Sequence, residues 1–415
     1  MAERSRIADP RLEGEGERRI AWVARHSPVL NRLARDRLRD GALAGRRVAV
    51  VVHLEAKTAY LATLLAEAGA EVVAAGSNPA TTQDAVCAAL VARGIEVHAT
   101  HGASENEFEG DLLAVADTAP DIVVDDGAEL TSRLVDQRPE LVETLRGVTE
   151  ETTTGVARLR AMEAAGRLTF PAIAANDALC KHLYDNRYGT GQSTITAILR
   201  LTNLVGAGKE FCVVGYGWVG KGLARYAEGV GGRVTVVELD PVAALEAHMD
   251  GHRVASLAHA LPDADVVITA TGGIEALAGD SFGRLKDGVL LANAGHHDRE
   301  IDVPALAELA DEVAEVRPGI SRYTLAEGRR VFVLVQGRLV NIAGADGHPV
   351  EIMDLSFSVQ ALAAHLLAAE QLPAGVQRLP DELDRAIART KLATLGIELD
   401  EPTPAQLAFA SEWTV

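Results

Sequence analysis

The chain has 415 residues, too many for one ordinary hydrophobic core, so at least two domains are expected. Apolar residues make up 48% and charged residues 24%, which is the balance of a globular protein. The formal net charge of −19 argues against nucleic acid or an anionic membrane as the main partner and leaves small molecules and further copies of the chain.

The N-terminal segment and the cysteines predict a cytoplasmic protein. Residues 1–19 carry too many charges for a signal peptide. Cys87, Cys180 and Cys212 are far apart in sequence, which is typical of reduced thiols. No apolar run approaches the roughly 20 residues that a membrane-spanning helix needs.

Short apolar runs alternate with helical patterns through the first half of the chain. The predicted buried parallel strands are 47–54, 71–76, 95–100 and 121–126. The segments 58–70 and 83–94 between them have helical periodicity and end near glycine. Residues 45–175 are therefore predicted to form one α/β domain.

Polar side chains stand at the carboxyl ends of three of these strands, where open α/β sheets bind their ligands. They are His53, then Asn78, Thr82, Gln83 and Asp84, and finally Asp125 and Asp126. Each one alone is more typical of a helix cap or a turn. Three polar strand ends together favour a cleft for a polar ligand.

Two later segments combine carboxylates with other polar groups. EETTTG at 150–155 suits the hydroxyl groups of a sugar, although a solvated capping turn has the same pattern. Further along, Lys181, Asp185 and Asn186 fall on one helical face. That spacing fits either an exposed ion pair or a lysine held beside a carboxylate as a general base.

Residues 211–241 predict a strand, a glycine-rich turn, a helix and a second strand. Gly215, Gly217 and Gly220 fit the G-x-G-x-x-G pattern, which makes a tight turn, a close approach to a pyrophosphate and close helix–strand packing possible. Glu238 ends the second strand, where a carboxylate accepts from a ribose 2′-hydroxyl and repels a 2′-phosphate. This unit predicts an NAD site.

The second domain continues through further apolar runs. They are 264–271, 288–294, 311–317 and 330–342. His296 and His297 follow one of these runs, beside the predicted nicotinamide cleft, and Asp346 and His348 stand at the exit from the domain. Helical patterns follow at 352–371 and 379–397.

In chain order, these segments resemble the S-adenosylhomocysteine hydrolase family. The resemblance covers residues 20–400. Within the family, the chain resembles a shorter subgroup, found in archaea and some bacteria, that contains S-inosylhomocysteine hydrolases. The matching blocks are GVTEETTTGV, NDALCKHLYDNRYG, VVGYGWVGKG, VVELDP, TATGG, NAGHHDREID and GRLVNIAGADGHP. The EETTTG block and the block around Lys181 are the more specific ones, because other Rossmann enzymes lack them.

The resemblance implies an α/β protein with two Rossmann-like, doubly wound parallel-sheet domains and a short C-terminal helical segment. The implied segments are a nucleoside-binding domain (1–187 with 348–385), an NAD-binding domain (188–347) and an oligomer-contacting segment (386–415). Hinges are expected near 187–193 and 343–350, and the protein is expected to be a homotetramer or a dimer.

The resemblance further implies reversible hydrolysis of S-adenosyl-L-homocysteine to adenosine and L-homocysteine, with tightly held NAD and no metal. NAD would oxidise the 3′ carbon of the sugar, which acidifies the 4′ hydrogen. Loss of that proton expels the thiol from the 5′ carbon. Water then adds, and the cofactor returns the electrons.

The family's functional residues fall on matching positions of this sequence. Lys181 beside Asp185 would take the 3′-hydroxyl proton, with a pKa lowered by a cationic neighbour and partial burial. The other implied catalytic residues are His53 and Asp126 at the 5′ position, Glu151 at the ribose hydroxyls and His296 at the oxidised carbon. The implied substrate-binding residues are Glu55, Lys57, Thr58, Asn78, Gln83, Thr152, Asp346 and His348. The implied cofactor-binding residues are Thr152, Thr153, Thr154, Asn186, Gly215, Gly217, Trp218, Val219, Gly220, Glu238, Thr271, Gly272, Asn341 and His348.

The sequence departs from the family's pattern at the purine site. Lys57 stands where a glutamate usually accepts from the exocyclic amine of adenine, and Glu55 stands where a threonine is usual. Lysine is only a donor, so it suits the carbonyl oxygen of hypoxanthine. Adenine is still possible if Glu55 turns in and Lys57 turns to solvent, and hydrolysis of an inosyl thioether is the alternative.

Other departures concern single positions and the C-terminus. Thr190 replaces a cysteine, His297 a phenylalanine, and Asp346 a methionine. The family's tail, which carries a lysine and a tyrosine to the neighbour's NAD, has no counterpart at 412–415, so a weaker contact is expected. An ordinary NAD dehydrogenase and a non-catalytic NAD-binding regulator are the competing interpretations.

Overall fold

The protein contains two open β-sheets, each covered by helices on both faces. The computed structural model describes residues 4–296 and 298–411, so His297 and residues 412–415 lie outside the described part. The strands are β1 Arg47–Val52, β2 Glu71–Gly76, β3 Glu96–His98, β4 Ile122–Asp125, β5 Gly147–Glu150, β6 Pro171–Ile173, β7 Glu210–Val214, β8 Arg233–Val237, β9 Arg253–Val254, β10 Val266–Thr269, β11 Val289–Asn293, β12 Ala310–Arg317, β13 Ile320–Leu325, β14 Arg330–Leu334 and β15 Gly375–Gln377.

The helices connect these strands in the right order for parallel sheets. They are α1 Glu13–Arg25, α2 Pro28–Asp36, α3 Ala56–Glu67, α4 Asp84–Ala92, α5 Glu105–Ala116, α6 Glu129–Gln137, α7 Pro139–Val142, α8 Thr153–Ala164, α9 Leu179–His182, α10 Thr190–Thr202, α11 Trp218–Gly229, α12 Pro241–Met249, α13 Leu257–Ala260, α14 Val303–Glu308, α15 Val340–Ala343, α16 Val350–Ala369, α17 Asp381–Thr394 and α18 Pro404–Ser411.

The first sheet is parallel throughout and has the order β15-β6-β5-β4-β1-β2-β3. The chain moves outward from β1 to β2 and β3, then returns to β4 on the other side of β1. This reversal opens a crevice at the carboxyl ends of β1 and β4, where ligands bind in such sheets. His53 follows β1 directly, and Asp126 follows β4.

The second sheet has the order β12-β13-β14-β11-β10-β7-β8-β9. Its direction reverses at β7, which lies between β10 and β8 and leads into the glycine-rich turn. The predicted fold class is confirmed, with one addition. The hairpin β12–β13 joins β14 in antiparallel pairing and forms one edge of this sheet.

The central strands are apolar throughout because both of their faces are buried. In β1, Val48, Val50 and Val52 pack into one core while Ala49 and Val51 pack into a second core on the other face. The strand β7 divides in the same way between its two cores. The hydrophobic run therefore fixes each strand in the middle of its sheet, with its polar end at the crevice.

Most sequence-predicted elements are confirmed, and the run at 330–342 is corrected. It is not one strand: β14 ends at Leu334, and the remainder forms a tight turn and the short helix α15. The predicted helices at 352–371 and 379–397 correspond to α16 and α17. By length and composition α16 could cross a bilayer, but 78% of it is buried inside the protein, where it packs against α2 and α3.

The chain passes between the sheets twice. It leaves the first sheet through a π-helical turn, Asp185–Gly189, and enters α10. It returns through α15 into α16, and β15 then pairs with β6 at the edge of the first sheet. The exact limits of the two domains stay a prediction.

Candidate active site

A cavity of about 490 Å³ opens at the carboxyl ends of both sheets. It brings together side chains that are far apart in sequence. The sequence-predicted residues that line it are His53, Glu55, Lys57, Thr58, Asp126, Glu151, Thr152, Thr153, Thr154, Lys181, Asp185, Asn186, Gly217, Trp218, Val219, Thr271, Gly272, His296, Asn341 and His348.

Other predicted residues do not line this cavity. The carboxylate of Asp346 is 94% exposed and pairs with Arg200, so only its backbone carbonyl faces inward. Gln83 accepts a hydrogen bond from Arg19 at 2.9 Å, and Asn78 caps a short turn beside a neighbouring cavity. The remaining three, Gly215, Gly220 and Glu238, shape the turn beneath the cavity.

His53, Asp126 and His296 form a close group. One ring nitrogen of each histidine and one carboxylate oxygen of Asp126 all lie within 4.8 Å of one another. Asp126 is 1% exposed, and its Oδ2 lies 3.5 Å from His53 Nε2. Ser77 donates to the same oxygen at 2.8 Å, and Thr81 Oγ1 lies 2.7 Å from His53 Nδ1. These contacts orient the imidazole and leave its Nε2 side toward the carboxylate.

The neighbours of Asp126 determine its charge. Burial alone would raise its pKa, but the positive charge available at His53 and His296 and the hydrogen bond from Ser77 hold the pKa below its ordinary value. Burial lowers the pKa of His296, against the pull of Asp126. The group therefore combines a carboxylate whose ionised form is stabilised with two imidazole rings beside it.

Lys181 is at the centre of a second buried group. Its Nζ donates to Asp185 Oδ1 at 3.1 Å and to Asn186 Oδ1 at 2.9 Å, and lies 3.5 Å from Glu151 Oε1. Gln360 donates to the other oxygen of Glu151 at 2.6 Å. The π-helical turn at 185–189 brings Asp185 and Asn186 to the lysine together, and such turns often accompany functional sites.

The predicted low pKa of Lys181 is wrong for the protein alone. Burial would lower it, but the carboxylates of Asp185 and Glu151 outweigh burial and raise the pKa of the lysine. The charged neighbours are anions, not the cation that the sequence led us to expect. In turn, burial raises the pKa of Glu151 to about 7, with Lys181 opposing and Asp185 adding to the rise.

Lys57 and Glu55 form an ion pair at another wall of the cavity. Lys57 Nζ lies 2.8 Å from Glu55 Oε2 and 3.0 Å from the carbonyl oxygen of Asp346. Both side chains are almost completely buried, and Glu55 also caps α3 through the backbone N–H of Lys57. The lysine does not turn to solvent.

The glycine-rich turn has the shape that its sequence predicts. Gly215 has φ +101°, in the region that favours glycine. A Cβ at Gly220 would lie 2.0 Å from the carbonyl oxygen of Gly215, so helix and turn pack too closely for any side chain. A Cβ at Gly217 would meet open space, on the side of the cavity. Glu238 Oε2 accepts from the backbone N–H of Tyr216 at 2.6 Å at the end of β8.

Comparison with known protein families gives two matches. A model described as S-adenosyl-L-homocysteine hydrolase matches residues 4–140, and one described as S-adenosyl-L-homocysteine hydrolase, NAD binding domain, matches residues 186–347. The chain belongs to the S-adenosyl-L-homocysteine hydrolase family. The second match contains the glycine-rich turn and all strands of the second sheet.

Relatives in this family match along nearly their whole length. An adenosylhomocysteinase of Thermotoga maritima is 50% identical over 400 residues, covering 96% of this chain and 99% of the relative. One of Thermococcus kodakarensis is 48% identical, covering 98% and 97%. An S-inosyl-L-homocysteine hydrolase of Methanopyrus kandleri is 46% identical with the same coverage. Among solved structures, a dipicolinate synthase chain of Bacillus halodurans has a TM-score of 0.50 at 14% identity, covering 80% of this chain and 100% of that one, which supports the fold alone.

NAD is the cofactor of this S-adenosyl-L-homocysteine hydrolase family member, and the residues present fit it. The open space beside Gly217 leaves room for a pyrophosphate at the start of α11, where free N–H groups point outward. Asn341 is fully buried and donates to Ser193 Oγ at 2.9 Å, while its Oδ1 has no hydrogen-bond partner among the described residues. A carboxamide N–H of nicotinamide would satisfy that oxygen.

Sequence reasoning missed two buried carboxylates. Glu150 accepts from the loop that follows β4, and Glu300 accepts from Thr271 and Gly272 in the loop that follows β10. The first belongs to the EETTTG segment but was not distinguished from its neighbour. In the structure a glycine packs against each carboxylate, Gly155 against Glu150 and Gly295 against Glu300. The sequence does not indicate either contact.

Proposed function

We propose that the protein hydrolyses S-adenosyl-L-homocysteine reversibly to adenosine and L-homocysteine with bound NAD. The observation that carries the proposal is that two separate proton-handling groups face one cavity. The Lys181 cluster lines it on one side, the His53–Asp126 pair lines it on another, and the glycine-rich turn opens on it. The names of the relatives support the same reaction.

Bound NAD supplies reversible oxidation of a sugar carbon, which side chains cannot perform. The chain's own groups bind the ribose and move its protons. Glu151 Oε1 has no hydrogen-bond partner among the described residues, and it is available to a ribose hydroxyl. Lys181 Nζ, held by Asp185 and Asn186, would donate to the neighbouring ribose oxygen and exchange a proton with it.

The His53–Asp126 pair suits proton transfer at the 5′ position. His53 would give a proton to the departing sulfur and take one from the water that replaces it, since an imidazole can act both as a general acid and as a general base. Asp126 remains ionised, so it stabilises the protonated imidazole before the first step and after the second. His296 lines the same end of the cavity, beside the pair.

A second cavity of about 490 Å³ adjoins the first and shares His53 and His296 with it. Its wall carries charges of both signs, and an amino acid has charges of both signs as well. Its charged lining residues are Glu105, Glu129, Arg158, Asp298 and Arg338. A thioether that spans the two imidazoles would place its nucleoside in the first cavity and its amino-acid end in the second.

The test is product analysis with protein that has been loaded with NAD. Adenosine and homocysteine should form in equal amounts from S-adenosyl-L-homocysteine, and the reverse reaction should consume both. Asp126→Asn should release far less thiol while still binding adenosine. If wild-type protein bound NAD and S-adenosyl-L-homocysteine and released no thiol, the proposal would fail.

Hydrolysis of S-inosyl-L-homocysteine is the second candidate, and one observation favours it. The buried ammonium of Lys57 lines the cavity, and its partner Glu55 is engaged by both Nζ and the backbone N–H of the lysine. A donor at the purine edge suits the carbonyl oxygen of hypoxanthine better than the amine of adenine. A relative at 46% identity has that name.

The two thioethers should be compared side by side. A site built for the wrong edge of the base can discriminate by roughly 10⁴-fold, so kcat/KM values give a clear decision. A large preference for the adenosyl compound removes the inosyl candidate. A large preference for the inosyl compound replaces adenine by hypoxanthine and leaves the rest of the reaction unchanged.

The proposal extends to assembly and location. We propose a homotetramer or a dimer in the cytoplasm, with the nucleoside held by 1–187 and 348–385, NAD held by 188–347, and contacts between copies made by 386–415. Exposed Leu407 and Phe409 on α18 support such a contact between copies. The cytoplasmic location is supported by three buried, free cysteines, which fit a reducing compartment. The net charge of −19 supports the absence of nucleic-acid and membrane partners. Light scattering with and without residues 404–415 tests the assembly.

A further inference from the structure

Glu150 lies directly beneath the site, at the end of β5, with no exposed surface. Its Oε1 accepts from the backbone N–H of Gly127 at 2.8 Å and from the N–H and hydroxyl of Thr152 at 2.8 and 2.9 Å. Its Oε2 accepts from the N–H of Ala128 at 2.8 Å. Four donors from two loops thus converge on one carboxylate.

The backbone around these donors is shaped for this carboxylate. Gly127 and Ala128 both have positive φ, +78° and +54°, which turns two successive N–H groups to the same side. Such a conformation is unfavourable for alanine and needs a compensating contact. On the opposite side, a Cβ at Gly155 would lie 2.1 Å from Glu150 Cδ. The helix α8 can therefore pack this closely against Glu150 only because residue 155 is glycine.

The two loops carry groups of both halves of the site. Asp126 immediately precedes Gly127, and Glu151 lies between Glu150 and Thr152. Burial and the charges of Asp125 and Asp126 raise the pKa of Glu150 to about 8, so the carboxylate is costly to keep here. Hydrogen bonds from both loops oppose that rise, and they do so only while the loops hold their present positions.

We propose that Glu150 is a positioning residue that fixes the Asp126 loop to the Glu151 loop and thereby aligns the His53–Asp126 pair with the Lys181 cluster. The assignment rests on the proposed function, since alignment matters only if both groups act on one substrate. Glu150 is not among the residues that line the cavity, so we expect no direct contact with the substrate. Its effect is transmitted through the backbone of both loops.

The second sheet offers an internal comparison. Glu300, also fully buried, accepts from Thr271 N–H and hydroxyl at 2.9 Å each and from Gly272 N–H at 2.8 Å. A Cβ at Gly295 would lie 1.7 Å from its Oε1. The same device holds the loops on the cofactor side, so Glu300→Gln should weaken NAD binding and leave the His53–Asp126 geometry unchanged.

The test uses NAD-loaded Glu150→Gln, which replaces one acceptor oxygen by an NH₂ that must face a backbone N–H. Amide hydrogen exchange at Gly127 and Ala128 should accelerate at least tenfold. In a crystal structure, the separation of His53 Nε2 and Asp126 Oδ2 should depart from 3.5 Å. kcat should fall about 100-fold, with a smaller change in the KM for adenosine and a shifted pH profile of kcat/KM.

A matched control separates positioning from general stability. Asp354 is also buried and accepts from two backbone N–H groups, Val29 at 3.2 Å and Leu30 at 2.8 Å, but it lies outside the cavity. Asp354→Asn should lower the thermal midpoint and leave kcat and the pH profile unchanged. The proposal is overturned if Glu150→Gln behaves in the same way as this control.

Two further variants keep the test decisive. Gly155→Ala retains the glutamate at position 150, but its added methyl group would collide with the carboxyl group of Glu150. This variant should reproduce the faster amide hydrogen exchange and the lower kcat. If Glu150→Gln does not fold, Glu150→Asp, which keeps the carboxyl group but withdraws it by one methylene, is judged by the same readouts. Amide exchange and the crystal structure need no turnover, so an inactive wild-type protein would count against the proposed function without deciding the role of Glu150.

Discussion

Lys181 Nζ lies 3.1 Å from Asp185 Oδ1, and both side chains are only 4% exposed. Glu151 Oε1 lies 3.5 Å from the same nitrogen, so one ammonium serves two buried carboxylates. The two carboxylates outweigh burial and raise the pKa of the lysine. Burial raises the pKa of Glu151, Lys181 opposes that rise, and the charge of Asp185 adds to it. The cluster holds more negative charge than it can neutralise, which makes it suited to a ligand that brings hydroxyl groups or positive charge.

Asp185→Asn should destabilise the protein and slow catalysis. Removal of one partner from a buried pair typically costs about 3–5 kcal/mol, and Glu151 remains as a partial counter-charge, so we expect the lower end. Loss of the carboxylate that holds the proton-transferring Lys181 should reduce kcat by roughly 10²–10⁴-fold. Urea denaturation and steady-state kinetics measure the two effects.

Asp346→Asn is the matched control for that variant. Asp346 also pairs with a cation, Arg200, but its side chain is 94% exposed. Surface pairs contribute about 0–1 kcal/mol, so stability and kcat should remain close to wild type. Equal losses in both variants would contradict the assignment of Lys181 and Asp185 to the reaction.

The raised pKa of Glu151, about 7, predicts how stability depends on pH. A carboxyl whose folded pKa is above its unfolded value of about 4.5 contributes stability below the unfolded pKa. That contribution is lost as the pH rises through about 7. Denaturation between pH 5 and 8 should therefore show a decline in the free energy of unfolding, and the decline should be smaller in Glu151→Gln.

The same group predicts the activity profile. If ionised Glu151 accepts from a ribose hydroxyl, kcat/KM should fall as the pH drops below about 7. Glu151→Gln should have lower activity and no acid limb at that position. An unchanged limb in the variant would assign it to another group.

Gly217→Ala and Gly220→Ala should fail in different ways. A Cβ at Gly217 meets open space, and its φ of −71° suits alanine, so this variant should fold normally but bind NAD weakly. A Cβ at Gly220 would collide with the carbonyl of Gly215, so that variant should lose stability even without cofactor.

Thermal melts with and without NAD distinguish these two outcomes. Wild type and Gly220→Ala should each gain stability from the cofactor, whereas Gly217→Ala should gain little. Normal NAD affinity in Gly217→Ala would mean that the pyrophosphate does not approach this turn.

Lys57→Met should change the preference for the base. It removes the buried donor and frees Glu55, so the ratio of kcat/KM for the adenosyl over the inosyl thioether should rise by roughly tenfold or more. Lys286→Met, at an exposed ion pair with Asp265, is the control and should leave the ratio unchanged. A constant ratio in Lys57→Met would remove this lysine from base recognition.

The sequence was sufficient for features that depend on local pattern. The unbroken apolar run of β1 predicted a buried parallel strand with His53 at its end, and the spacing of Gly215, Gly217 and Gly220 predicted the cofactor turn. The sequence could not place charges across the fold. Nothing near Lys181 in sequence indicates that Glu151, which follows another strand, sits beside it, so its pKa was predicted in the wrong direction.

Side-chain direction was equally hidden. Asp346 occupies a position that the resemblance assigns to the site, yet its carboxylate points to solvent because Arg200 is there to pair with it. Glu150 and Glu151 are adjacent and chemically identical, but Glu151 lines the cavity and Glu150 lies beneath it. Only the paths of the two loops decide which carboxylate meets the substrate.

The most direct measurement follows thiol release and absorbance at 340 nm together, with S-adenosyl-L-homocysteine and S-inosyl-L-homocysteine added separately to NAD-loaded protein. The account predicts many equivalents of homocysteine per site from at least one of the two compounds, with reduced NAD never exceeding one equivalent per site. Absence of thiol from both compounds, or reduced NAD that accumulates with every turnover, would contradict it.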